Sequence, residues 1–402
     1  MAELGADVKA RRGKVLCLVL AGGEGGRLGR LTDGRAKPAL PFGGVYRLID
    51  FPLSNCHHSR VSDVWVIQQY EAHTLSEHLA NGRPWDLDRT WGGMRVVHPT
   101  TGDEESGFYE GNADAIHRNR VAIERFDPEL LLVLSADAVY QLDYAEVIER
   151  HRERGAEATA VTTVKPPDEA SRLGTVAVDS DGKVTAFEYK PKEPQSDIVT
   201  TEVFVYDAKV LLRTLAELED EGEALSDFGH GLLPRLVERG NTWAVDVGGY
   251  WRDVGTLESY WQAHMDLLEP EPQLRLDDPE WPILTRASQR PPARIEASAR
   301  VQGSLISPGC TVRGRVSNSV LGRGVAVAEG VAVVDSVVLG DSLVGADIGR
   351  VIVDVGVDVV EEATGGDEPA VIAKKPVPRT LRNAVRGVEL NSLRRGATSA
   401  HA

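Results

Sequence analysis

The sequence of 402 residues is short of cysteine, of long apolar runs and of positive charge, and each shortage removes a class of protein. Its three cysteines, Cys17, Cys56 and Cys310, lie far apart with no metal-ligand spacing. They read as buried thiols in a reducing cytoplasm rather than a disulfide framework. No stretch is long and apolar enough to span a membrane. A formal charge of −16 argues against a general nucleic-acid binder. An acidic protein that handles phosphates must gather positive charge locally or recruit a metal. Arg11, Arg12 and Lys14 precede an apolar run, as in a signal peptide. That run is short and flows straight into glycines, so it reads as a first strand. The length exceeds one ordinary core, and two domains are expected.

What is present is concentrated near the start. Val15-Leu16-Cys17-Leu18-Val19-Leu20-Ala21 runs into Gly22-Gly23-Glu24-Gly25-Gly26-Arg27-Leu28. The apolar run suits a strand buried on both faces of a parallel sheet. The glycines suit a loop that brings its backbone N–H groups close to phosphates. No Lys-Ser/Thr pair closes them, which excludes a P-loop. The dinucleotide pattern Gly-x-Gly-x-x-Gly begins at Gly23 but meets Leu28 at its last position. Arg27 offers a fixed fork of donors, and Arg35-Ala36-Lys37-Pro38-Ala39 adds two cations beside a rigid proline. Strand, glycines, arginine and lysine together read as a polyphosphate cradle; a solvated charged face is the plainer alternative.

Apolar patterning predicts strands at 61–69, 130–134 and 158–164, helices at 74–80, 112–125 and 144–153, and a hairpin from 175–178 and 184–188 around Asp181-Gly182. Residues 81–105 read as a long loop. Strands alternating with helices imply a mostly parallel, Rossmann-like α/β sheet over residues 14–268. Residues 1–13 read as loose, and 269–292, rich in proline and acids, as a linker. The texture then changes. Val325, Val331, Val337 and Leu343 are spaced by six, and Ala326, Ala332, Val338 and Val344 form a second row. This period implies a left-handed parallel β-helix of hexapeptide turns over 293–360, with a valine-rich sandwich as the alternative. Its flat faces suit assembly. Residues 361–402 read as a mobile basic tail.

The run Leu20-Ala21-Gly22-Gly23-x-Gly-x-Arg27-Leu28, then Arg35-Ala36-Lys37-Pro38-Ala39, then Phe42-Gly43-Gly44-x-Tyr-Arg47-Leu-Ile-Asp50-Phe51-x-Leu-Ser54-Asn55 resembles the sugar-1-phosphate nucleotidyltransferases. Within them it is most similar to the bacterial glucose-1-phosphate adenylyltransferase family. The resemblance continues through Tyr109-Glu110-Gly111-Asn112-Ala113-Asp114-Ala115 and Tyr250-Trp251-Arg252-Asp253-Val254-Gly255-Thr256. It implies in-line transfer of a nucleotidyl group from a nucleoside triphosphate to a sugar 1-phosphate, with pyrophosphate leaving. The attacker is already an anion, so charge neutralisation, a metal and placement are needed rather than a general base.

By the same resemblance, Arg27, Lys37 and Asp137 would carry catalysis, and Asp137 with Asp253 would hold Mg²⁺. Either aspartate alone reads equally as a helix cap or a turn. Leu20, Ala21, Gly22, Gly23, Gln69, Gly111 and Asp114 would line the nucleotide site. Tyr109, Gly174, Tyr189, Lys190, Thr200 and Glu202 would line the sugar-phosphate site. The family's Glu-Lys-Pro is Tyr189-Lys190-Pro191 here, and its Ser-Met-Gly is Thr200-Thr201-Glu202. Its Pro-Ala-Gln-Gln run is missing, with His98-Pro99-Thr100-Thr101 near its place, and Ala136-Asp137-Ala138 replaces Gly-Asp-His. One reading of these changes moves the sugar-binding carboxylate from the Tyr189 position to Glu202. ATP and glucose 1-phosphate are the expected substrates, for glycogen synthesis, in a cytoplasmic homo-oligomer. The resemblance makes that oligomer a tetramer, open to a small-molecule effector and without nucleic acid or membrane partners. Another sugar or base, or a non-catalytic regulatory subunit, is the alternative. Retention of Arg27, Lys37, Asp137 and Asp253 speaks against the subunit. A hexapeptide acyltransferase fails for want of a convincing histidine base in the repeats.

Overall fold

A computed structural model of the chain describes residues 14–374, apart from 24, 100–106, 247 and 287. The segment 1–13 and the tail beyond 374 lie outside the described residues. The first strand, Val15–Ala21, lies between Asp63–Gln68 and Leu130–Ser135, parallel to both. Its alternating side chains enter two cores. Cys17, Val19 and Ala21 pack on one face of the sheet, and Leu16, Leu18 and Leu20 on the other. That is why the run is apolar at every position rather than at every second one. Gly93–Val97 adds a further parallel strand inside the segment read as loop. Ile198–Asp207 turns the sheet antiparallel beside Leu130–Ser135 and carries Ala158–Val164, which pairs in parallel with Thr242–Asp246. The hairpin of Gly174–Val178 and Val184–Tyr189 completes a nine-stranded sheet among the described residues.

The helix expected over 112–125 is two, Asn112–Arg118 and Arg120–Phe126. Asn119 stands at the break, its amide donating to the Ala115 carbonyl (2.7 Å) and the Tyr109 hydroxyl (3.1 Å). Such side-chain bonds compete with the helical ladder. Among the described residues no helix is long and apolar enough to cross a membrane.

From Arg294 the chain coils into three parallel sheets. Val312, Val327 and Val344 stack in one buried row, with Ile295 exposed at its open end. The coil does not stop at 360. Ala363–Thr364 pairs with Ile348–Gly349, and Ala370–Ile372 with Val351–Val353. The last rung lost the valine spacing that marks the others, but parallel pairing is a backbone property and persists with Ala363 and Ala370 facing in. The segment 269–292, read as a linker, is strapped to the first domain. Trp281 Nε1 donates to Asn55 Oδ1 (2.9 Å), the Leu284 N–H to Ser54 Oγ (2.9 Å), and Leu274 and Ile283 are buried. Phe42, Phe51, Tyr260 and Trp261 form one apolar cluster with Val320, Val337, Leu339 and Ile352, so the two domains share a core.

Candidate active site

The glycine loop is fixed at one end by Gly25. Its φ is +73°, and an added Cβ would lie 2.8 Å from Thr32 Cγ2 and 3.2 Å from Lys37 Cβ. Leu28 and Leu31 bury themselves in the turn that follows, which leaves Arg27 exposed between them and the glycines. Lys37 opens a short helical turn with Pro38 second. Pro38 presets the backbone there. The Lys37 side chain runs inward, only 6% exposed as a residue.

Two strands bring the aspartates to it. Asp137 follows the buried strand Leu130–Ser135, at the carboxyl end where open α/β sheets bind ligands. Trp251–Asp253 pairs antiparallel with Ala138–Tyr140, and its register sets Asp253 opposite Ala138, next to Asp137. Lys37 Nζ stands 2.7 Å from Asp137 Oδ2 and 3.9 Å from Asp253 Oδ1. Ser135 Oγ donates to the other Asp137 oxygen. Burial opposes the Asp137 charge, but Lys37 and these hydrogen bonds outweigh it, and the carboxyl sits below its usual range. Burial pushes the Asp253 carboxyl up; the Lys37 charge restrains it and the Asp137 charge adds to the rise. Burial works against the Lys37 charge too, yet Asp137 and Asp253 hold it above the ordinary lysine range. Arg27 adds its field to both aspartates.

Glu202 faces the same centre. It is partly buried, with a left-handed φ of +58°. Burial, then the charges of Asp137 and Asp253, push its carboxyl up to about 7. Tyr189 lies on the adjoining wall, its ring over Gly229, where an added Cβ would fall 2.0 Å from Cδ2. Lys190 Nζ donates to the Tyr189 hydroxyl (2.6 Å), and His230 meets the ring edge-on at 4.7 Å between centroids. Thr200 Oγ1 bonds the Gly174 carbonyl (3.4 Å), and an added Cβ on Gly174 would sit 3.0 Å from that oxygen.

A cavity of about 230 Å³ opens beside the glycine loop, lined by Leu20, Gly22, Gly23, Gln69, Tyr109 and Gly111. Ala21 is buried beneath it. Gln69 is a strut across this cavity: its Oε1 accepts from the Tyr109 N–H (2.6 Å) and its Nε2 donates to the Gly22 carbonyl (3.2 Å). Gly111 is required by the protein itself, since its Cβ would fall 1.2 Å from the Ser226 carbonyl oxygen. Asp114 turns to its own segment, accepting from the Glu110 N–H (2.8 Å) and pairing with Arg118 (2.8 Å). The Tyr109 hydroxyl is held by Asn119, so this residue sits on the nucleotide wall with its phenol turned toward the helix. Sequence reasoning missed Ser135 and Ser226, because a lone serine carries no signal until the fold places it.

Asp137 and Asp253 fit a divalent cation. They are hard oxygen donors, and each resists the other's charge, a conflict that a cation relieves. Among the described residues no three acidic, histidine or cysteine side chains are arranged to cage an ion, so the pair would leave room for waters and phosphates.

The family model described as Nucleotidyl transferase matches residues 16–270, and one described as GlmU-like, C-terminal hexapeptide matches 291–375. The glucose-1-phosphate adenylyltransferase of Thermotoga neapolitana is 43% identical over 319 residues, 79% of this chain and 75% of the relative. That of Clostridium novyi is 41% identical over 309 residues, 77% of this chain and 81% of the relative. With a parallel strand leading into a glycine loop, a lysine held between two aspartates, and a hexapeptide coil behind them, the chain belongs to the glucose-1-phosphate adenylyltransferase family of sugar nucleotidyltransferases.

Proposed function

We propose that the chain transfers the adenylyl group of ATP to glucose 1-phosphate, forming ADP-glucose and releasing pyrophosphate, for glycogen synthesis. The observation that carries this is Lys37, buried between Asp137 and Asp253 at the strand ends beside the glycine loop. A sugar-phosphate oxygen attacks the α-phosphorus, and the bond to the bridging oxygen of pyrophosphate breaks. Lys37 would neutralise the α-phosphate, and Arg27 would steady the leaving pyrophosphate. Asp137 and Asp253 would hold Mg²⁺, which would supply charge to the phosphates and orient them. Lys190, exposed at the end of the hairpin, would receive the sugar phosphate, with Tyr189 and Thr200 on the sugar wall. The glycine loop and the Gln69 strut would shape the nucleotide pocket.

The enzyme is read as a cytoplasmic homo-oligomer, tetrameric as the sequence resemblance implies, assembled through a flat face of the coil. A cavity of about 420 Å³ between the domains is lined by Arg47, Arg286, Arg290 and Arg323. Its charge suits a small anionic effector, and Arg47 Nη1 donates to the Ala39 carbonyl (2.6 Å), two residues from Lys37. The test is pyrophosphate release across a panel of nucleoside triphosphates and sugar 1-phosphates with Mg²⁺. ATP with glucose 1-phosphate should give the highest kcat/KM; a clear preference for another pair would replace the substrate assignment.

A further inference from the structure

The glycine loop borders two cavities, one at each end. Gly22 and Gly23 line the one assigned to the nucleotide. Arg27, just past the loop, lines a second, of about 270 Å³, with Arg172, Trp251, Asp253 and Thr256. Asp253 joins this second cavity to the catalytic centre, its carboxylate 3.9 Å from Lys37 Nζ. A triphosphate whose nucleoside fills the first cavity and whose α-phosphate reaches Lys37 would carry its two outer phosphates into the second.

The charges in the second cavity are unevenly matched. Arg252 is paired with Asp266 (2.8 Å), Glu258 with Arg350 (2.9 Å) and Glu169 with Lys165 (3.7 Å). Among the described residues, the Arg27 and Arg172 side chains have no ion pair or hydrogen bond, and Asp168 is the one carboxylate of this cavity that also lacks a partner. Arg172 is exposed, so its loss leaves the core untouched, but its backbone is fixed. Its N–H donates to the Glu169 carbonyl (3.1 Å). The next residue, Leu173, donates to the Ala170 carbonyl (3.0 Å) and accepts from the Lys190 N–H (3.0 Å). In a chain of charge −16, two arginines from separate segments that share a cavity without ion-pair partners suit a multiply charged anion. Water and salt screen one exposed arginine, whereas two forks acting on one pyrophosphate add both charge and geometry.

We propose that Arg172 is a second catalytic arginine, which with Arg27 grips the outer two phosphates of the triphosphate and then the leaving pyrophosphate in this cavity. This rests on the reading of the glycine loop and Arg27 as the triphosphate cradle.

The test is calorimetric titration of the full-length protein with pyrophosphate and Mg²⁺, together with steady-state kinetics in both directions. Arg172→Ala should keep the parent's thermal midpoint and bind pyrophosphate about tenfold more weakly or worse, the loss of one charge-assisted contact. In pyrophosphorolysis of ADP-glucose its KM for pyrophosphate should rise by a similar factor. Its KM for glucose 1-phosphate at saturating ATP should stay within about twofold of the parent's. Arg172→Lys, which keeps the charge but not the fork, should recover part of the loss. An Arg172→Ala protein that binds pyrophosphate as the parent does would overturn the proposal. So would one that loses glucose 1-phosphate instead, which would assign Arg172 to the sugar phosphate beside Lys190. Arg27→Ala separates the two layers: it should weaken pyrophosphate as well. A parent that binds none, or an Arg27→Ala protein that binds it normally, would remove the cradle on which the proposal rests.

Discussion

Replacing Glu202 with glutamine should make the metal-free protein more stable, and by an amount that depends on pH. In the unfolded chain this carboxyl titrates near 4.5, and in the folded protein near 7. Below pH 4.5 both states carry the proton and the group contributes nothing to the difference between them. Through the window from 4.5 to 7 the unfolded state ionises while the folded state holds its proton. The folded state therefore loses stability as pH rises, and the full penalty is present above 7. For an isolated group it would be about 3 kcal/mol, and charge shared with Asp137 and Asp253 brings it to about 1–3 kcal/mol. Urea unfolding in the presence of a chelator, followed by tryptophan fluorescence, measures it. The gain of Glu202→Gln over the parent should be under about 1 kcal/mol at pH 5 and reach about 1–3 kcal/mol at pH 8. Glu202→Gly should add about 1 kcal/mol at every pH by relieving the left-handed backbone. A glutamine variant whose advantage is constant across the window would refute the placement of this carboxylate among like charges.

Three further outcomes follow from the same geometry. Lys37→Met should lower single-turnover adenylyl transfer about 10²–10³-fold, because a preorganised cation at the reacting phosphate is lost; a loss under tenfold would remove Lys37 from the chemistry. Gly111→Ala should destabilise by about 3 kcal/mol, since the new methyl meets the Ser226 carbonyl, and urea midpoints test it. Trp261, 7% exposed, donates to the Asp335 carbonyl (2.8 Å) under the Arg350 guanidinium, 4.2 Å from its ring. Trp261→Ala should cost about 3–5 kcal/mol and hasten proteolysis within 269–292, seen by mass spectrometry of the fragments.

The parts legible in the sequence were those written by local pattern. The run Val15–Ala21 is apolar on both faces, so strand and sheet type followed from seven residues and the glycines after them. The six-residue valine spacing of 325–344 announces the coil, although its inward row runs through Val327, Val333, Val338 and Val344 and slips by one residue, leaving Leu343 exposed. Where the last rung drops valine for Ala363 and Ala370, the pattern fades although the pairing continues. The strand Gly93–Val97 was hidden among glycine, tryptophan and proline, because its pairing with Asp63–Gln68 is a tertiary contact. The candidate site divides in the same way. Lys37, Asp137 and Asp253 stood in recognisable motifs, but that Lys37 lies between the two aspartates depends on the Ala138–Tyr140 and Trp251–Asp253 ribbon, which joins segments more than a hundred residues apart. Gly111 illustrates the limit differently. It stood in a recognisable motif, but what demands a bare Cα there is the Ser226 backbone, which only the fold brings to it.

The central claim is that this centre moves an adenylyl group between two phosphates. Phosphorus NMR of the parent with ATP, glucose 1-phosphate and Mg²⁺ tests it most directly, with Asp137→Asn alongside. The parent should produce ADP-glucose and pyrophosphate in equal amounts, and a folded Asp137→Asn should produce neither at more than about a hundredth of that rate. Orthophosphate in place of pyrophosphate, no nucleotide sugar from a folded parent, or near-normal turnover by the folded variant would contradict the account.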